Sequence, residues 1–196
     1  MRSTRTLSII ALFTSLIIAS DFALAPVLNV KIMDTIVFAA AFAFGFRTGA
    51  SIAVLSEFIW SVVTPYGMFL PITPFLVIGE LLFATAGYVA SKIWGVDKLS
   101  PLSPRNLYFG AILAICAFIW DFETNLATAV VMDGMHTLAG IISVEVFGIW
   151  FMVLHEMSDF ILGGALAPII IVYFKRLGGA HPISAREVSV VQQEVA

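Results

Sequence analysis

Charge is the scarcest property of this chain: only 12% of its 196 residues are Asp, Glu, Lys or Arg, about half the share of an ordinary soluble domain. So poor a polar complement cannot cover a surface in water. With 60% hydrophobic residues and a mean hydropathy of +1.02, the implied solvent is lipid. Cysteine is nearly absent too. Cys116 has no partner in the chain, which excludes an intramolecular disulfide, and its apolar neighbours make it a packing residue. No Gly-x-x-x-x-Gly-Lys-Ser/Thr run occurs, so ATP hydrolysis by a P-loop is excluded and any ATP drive must come from a partner. A net charge of −3 is too small to suggest a nucleic-acid partner.

What is present is a series of apolar segments, read at about Leu7 to Ala25, Met33 to Phe46, Gly49 to Val63, Pro74 to Trp94, Leu107 to Met132 and Phe147 to Phe174. A crossing takes roughly 20 apolar residues, so the spacing predicts an all-α integral membrane protein, a bundle of six transmembrane helices, two of them short. Residues 1–176 form its single domain and 177–196 a polar cytoplasmic tail, expected to be partly disordered. Arg2 and Arg5 before an apolar run ending Ala23-Leu24-Ala25 resemble a signal peptide, but Pro26 is a poor residue after a cleavage point. Basic residues set the orientation. With a cytoplasmic N-terminus, nine of the ten Lys and Arg lie inside and only Lys31 lies outside, as the positive-inside rule expects. Both termini are then cytoplasmic, in a plasma membrane.

Two connections read as external covers. Thr64 to Pro74 is rich in proline and aromatics without charge, and the stretch from Leu138 to Val146 reads as a lid or re-entrant piece, because Leu138 to Phe174 is too long for one crossing of about 20 residues. Its lead-in, Asp133-Gly134-Met135-His136, has loop chemistry.

Ionisable residues inside the apolar segments are costly unless they face protein or a cavity. They are Glu57, Glu80, Asp121, Glu123, His155, Glu156 and Asp159, all placed between the midplane and the outside by their positions along the helices. No Lys or Arg is expected at that depth, so the set should prefer a cationic or donor-rich ligand that keeps the carboxylates ionised. Glu57, Trp60 and Thr64 share one face of the third helix, and Asp121, Asn125 and Thr128 one face of the fifth, with Trp120 and Glu123 beside it. Trp next to carboxylates suits a flat or cationic ligand, although Trp60, Trp120 and Trp150 equally suit interfacial anchoring or core packing. The candidate substrate-binding residues are Glu57, Trp60, Tyr66, Glu80, Trp120, Asp121, Glu123, Asn125, His155 and Asp159.

The string His155-Glu156-Met157-Ser158-Asp159 puts Asp where a zinc protease would carry its second histidine. A His and Asp pair can ligate a metal, but the sequence names no third ligand. No catalytic set, metal site or cofactor is expected. On the first helix Ala11, Ser15 and Ala19 form a small-residue stripe that lets another helix approach closely.

The Ala11-Leu12-Phe13-Thr14-Ser15 stripe, the Pro26-Val27-Leu28-Asn29-Val30-Lys31 loop and the Phe44-Gly45-Phe46-Arg47-Thr48-Gly49-Ala50 turn resemble those of a substrate-binding S component of an energy-coupling factor (ECF) type ABC transporter. The family favours alanine where this chain has Ser15. Membership implies a six-helix subunit that captures a vitamin, vitamin precursor or metal ion beneath the loops between helices one and two, three and four, and five and six. It also implies docking through Ala11, Ser15 and Ala19 onto a transmembrane coupling subunit with two ABC-type ATPases. Nickel and cobalt members begin Met-His, whereas this chain begins Met1-Arg2. Among organic ligands the acids and Trp residues favour a thiamine-like or other amine-bearing heterocycle; riboflavin-like and cobalamin-like ligands stay open. The rival readings are a solitary proton- or sodium-coupled secondary transporter and an intramembrane metalloenzyme.

Overall fold

The computed structural model describes residues 2–68, 70–94, 103–104, 106–131 and 135–179. These form seven helices and no strand: α1 (Arg2–Leu24), α2 (Met33–Phe44), α3 (Phe46–Val63), α4 (Thr73–Ile93), α5 (Asn106–Val131), α6 (Leu138–Ala165) and α7 (Ala167–Gly179). Five of them, α1, α3, α4, α5 and α6, are long and apolar enough to cross a membrane. Their outward faces carry exposed Leu12, Phe58, Ile115 and Phe147, a belt that suits lipid and would be untenable in water.

α2 is the exception in length and the centre of the packing. At 12 residues it spans only about 18 Å, short of a ~30 Å hydrocarbon core, and ten of those residues are buried. A helix that is apolar all round belongs inside. Small residues bring its neighbours close: Gly87 of α4 and Gly49 of α3 lie so near the α2 backbone at Phe38 and Ala41 that a Cβ on either would collide with it. The α2–α3 connection is a single residue, Gly45, at φ 94°, a conformation that glycine adopts without steric cost.

One end of the bundle is built from rings. Phe13, Phe44 and Phe174 pack together, Phe13 to Phe174 at 4.0 Å between centroids, and Phe38, Phe42 and Trp94 surround Phe109. The other end, which carries the 25–32 and 64–72 connections, holds most of the buried polar residues, although Thr48 and Asn106 are buried at the starts of α3 and α5. Each helix presents them on an inward stripe: Phe13, Ile17 and Asp21 on α1, Ser56, Glu57, Trp60 and Ser61 on α3, Gly79 and Glu80 on α4, Trp120, Asp121 and Thr124 on α5, His155 and Asp159 on α6. The 3.6-residue period thus carries the acids into the core on the same faces as the apolar packing.

The stretch 138–146, read from the sequence as a lid or re-entrant piece, is helical and continuous with 147–165. Thr137 caps the helix, its side chain accepting from the Gly140 N–H at 3.2 Å, and no breaker follows until Pro168, so α6 runs unbroken for 28 residues. α6 ends at Ala165, with the Leu166 N–H bonded to the Leu162 carbonyl, and α7 begins at Ala167, one residue before Pro168, which has no N–H to donate. α7 continues past it and packs on α2. Residues 132–134 and 180–196, which include part of the Asp133-Gly134-Met135-His136 run and most of the expected tail, lie outside the described residues.

Candidate functional site

A cavity of about 470 Å³ opens within the polar end, inside the roughly 300–1,000 Å³ range of small-molecule sites. Its walls come from α1, α3, α4, α5 and α6 and from the two connections that cross this end. Of the residues singled out in the sequence, Glu57, Trp60, Tyr66, Trp120, Asp121 and Asn125 line it. Thr64 and Thr128 join them, so the helical spacing of the α3 and α5 stripes converges on one space.

Other members of that set lie elsewhere. Glu80, His155 and Asp159 are fully buried and do not reach the cavity wall. Glu123 is half-buried on the flank of α5, like Glu156 on α6, and also stays outside the cavity. Trp150 is 67% exposed on the outer face of α6. Ala11, Ser15 and Ala19 are all exposed on the outward face of α1.

One premise of the sequence reading is overturned. Lys31, in the connection between α1 and α2, is buried within the acidic end, where no Lys or Arg was expected. Its ammonium sits 4.1 Å from the centroid of the Trp120 ring, and the carboxylates of Glu57, Asp34, Glu80 and Asp21 attract it through space. The reason is the shortness of α2. Because α2 starts well inside the bundle, the chain leading to it must descend from the end of α1 to that depth, carrying Lys31 with it. Such non-helical backbone is tolerated at depth when it is buried in protein or lines a cavity, and residues 27–31 do line this one.

Three contacts hold the connection in place. Asp21 accepts from the Ile32 N–H at 3.3 Å. The Asn29 amide, on a residue at φ 58°, donates to the Phe151 carbonyl of α6 at 2.9 Å. The Tyr66 hydroxyl donates to the Ala25 carbonyl, joining the two connections to each other.

Trp120 is fixed as a wall by its indole N–H, which donates to the Leu76 carbonyl at 3.1 Å. Gly79 makes its space: a Cβ at that position would collide with the indole ring. Gly148 does the same for Asn125, whose amide donates to Glu145 at 3.2 Å.

Beneath the wall stands His155, with Nδ1 3.0 Å from Asp121 Oδ2 and Nε2 3.1 Å from Asp34 Oδ2. Asp159 approaches Nε2 to 3.9 Å. The sequence reading passed over Asp21, Lys31 and Asp34. Asp21 could have been found, since it lies four residues beyond Ile17 on the inward stripe of α1. Asp34 and Lys31 flank a helix start whose depth only the packing reveals. Comparison with family models, with curated proteins and with solved structures finds no match to this chain.

Proposed function

We propose that this chain is a membrane-embedded substrate-capture subunit, an S component of an ECF-type importer, which takes a small solute from outside and passes it to a coupling subunit with two ATPases. The observation that carries this reading is the cavity. It lies at a single end of the bundle, walled by the 25–31 connection, by Tyr66 and Ile72 from the 64–72 connection, and by inward residues of five helices. A capture site needs such an end-on position beneath loops that can move aside.

The six-crossing count follows if α2 serves as a short central span beside the five long apolar helices. Arg5, Arg47, Lys92 and Lys175 sit at the α1 start, the α2–α3 turn, the α4 end and α7, all away from the cavity. The positive-inside rule then puts the cavity at the outer face of the plasma membrane. The exposed Ala11, Ser15 and Ala19 stripe is the face offered to the coupling subunit.

Lys31 changes what the ligand must look like. Asp21, Glu57 and Asp121 line the cavity against one Lys31, so acid still exceeds base and an amine or ring N–H donor is favoured, as in a thiamine-like heterocycle. Because the Lys31 ammonium already covers the Trp120 ring, a cationic ring would stack on Trp60 rather than there. Mass spectrometry of the small molecule retained by the purified protein tests this. An amine-bearing heterocycle, depleted in Glu57→Gln, is the expected result; a retained carboxylate vitamin or a lipid alone would refute the ligand class.

A secondary transporter is the second reading, favoured by the surplus of buried carboxyls. Direct measurement of what drives uptake separates the two.

A further inference from the structure

The imidazole of His155 is fully buried with acid at both nitrogens. Asp121 stands 3.0 Å from Nδ1, and Asp34 and Asp159 stand 3.1 and 3.9 Å from Nε2. A neutral imidazole carries a single N–H. If it donates to Asp121, the Nε2 lone pair points toward the oxygens of Asp34 and Asp159. Three electron-pair donors then converge, one from each residue, all within 4.8 Å of one another.

A second observation comes from Asp159. Its side chain is entirely buried, and neither of its oxygens has a hydrogen-bond partner among the described residues. A buried carboxylate left so is costly. The structure offers no donor to relieve it, but it does offer a second carboxylate and an imidazole nitrogen at the same point.

We propose that Asp34, His155 and Asp159 bind a divalent first-row transition metal ion, with Asp121 as the residue that orients His155. One imidazole and two carboxylates form a donor set suited to such ions. Ligands about 2.1 Å from a tetrahedral ion stand about 3.4 Å apart, between the two His155 separations observed. The Asp121 contact is the carboxylate–histidine pairing that fixes tautomer and ring direction in metal sites. The ligand missing from the His155-Glu156-Met157-Ser158-Asp159 string is thus supplied by Asp34 at the start of α2, 121 positions away in the chain. A bound ion would tie the short α2 to α6 and would lie just beneath the cavity, with Asp121 reaching both. This site stands whether or not the cavity above captures a solute.

Titration of the full-length protein in detergent, after chelator treatment and dialysis, tests the assignment with Co²⁺ or Zn²⁺ alone as the probe. One equivalent of Co²⁺ should bind at micromolar concentration with the visible spectrum of a nitrogen- and oxygen-ligated ion, and Zn²⁺ should displace it. Asp159→Asn, nearly isosteric and made at a side chain with no hydrogen bond to lose, should abolish the spectrum. Asp121→Asn should weaken binding about tenfold or more, while Glu156→Gln on the same helix leaves it unchanged. Circular dichroism and gel filtration confirm that each variant is folded. Absence of saturable binding to the folded wild type, or wild-type binding in Asp159→Asn, would overturn the proposal.

Discussion

Asp121 Oδ2 lies 3.0 Å from His155 Nδ1, and the same residue forms part of the cavity wall. A solute in the cavity and the buried carboxyls beneath it therefore share one side chain. Replacing Asp121 by Asn keeps the shape and removes the charge. Charge-assisted hydrogen bonds contribute about 1.5–3 kcal/mol, so retention of the co-purifying solute should fall about tenfold or more. Glu123→Gln, outside the cavity, should leave retention unchanged. Equilibrium dialysis of the two variants side by side decides this.

Lys31→Met should destabilise the whole bundle. The ammonium is buried against the Trp120 ring, so its loss removes a cation–π contact worth about 0.5–2 kcal/mol together with its through-space attraction to Glu57, Asp34, Glu80 and Asp21. Thermal unfolding in detergent should show a lowered midpoint. Adding Glu57→Gln to Lys31→Met should recover part of the loss, since it removes one of the acids whose charge the ammonium offsets through space. Strict additivity would mean that the pair does not interact.

Gly79→Val should displace Trp120. The added atoms meet the indole ring directly, and overpacking a tight interior typically costs about 1–3 kcal/mol. A changed near-ultraviolet circular dichroism signal together with weakened solute retention is expected. Gly164→Ala should leave the Trp signal unchanged, because a Cβ at that position would make only an ordinary van der Waals contact, 3.6 Å from the Asn106 carbonyl oxygen.

Tyr66→Phe removes the hydroxyl that joins the 64–72 connection to Ala25. A single hydrogen bond contributes about 0.5–1.5 kcal/mol, too little to unfold the protein but enough to loosen the cover. Solute release should become faster, by stopped-flow measurement, while the thermal midpoint stays near that of the wild type.

How much of this was legible in the sequence follows from what each residue depends on. The Glu57, Trp60, Thr64 and Asp121, Asn125, Thr128 stripes could be read because helical spacing alone puts each set on one face. Lys31 and Asp34 could not, since their depth depends on α2 ending short inside the bundle, and the apolar pattern gives no hint of where a helix sits relative to its neighbours. The start of α6 was misplaced by nine residues for a related reason. A length rule for crossings does not see that the helix breaks at Leu166, just before Pro168, rather than at Phe174. Gly79 and Gly148 carry no polar atoms to mark them, although both shape the cavity through the side chains they leave room for.

Capture without independent transport is what an S component would show in vesicles. Vesicles containing this protein alone, and vesicles that also contain a coupling subunit and its ATPases, should be loaded in parallel with the solute that co-purifies with the chain. Uptake only in the second set, and only with ATP inside, is the predicted result. Accumulation by the protein alone, driven by a proton or sodium gradient, would contradict it.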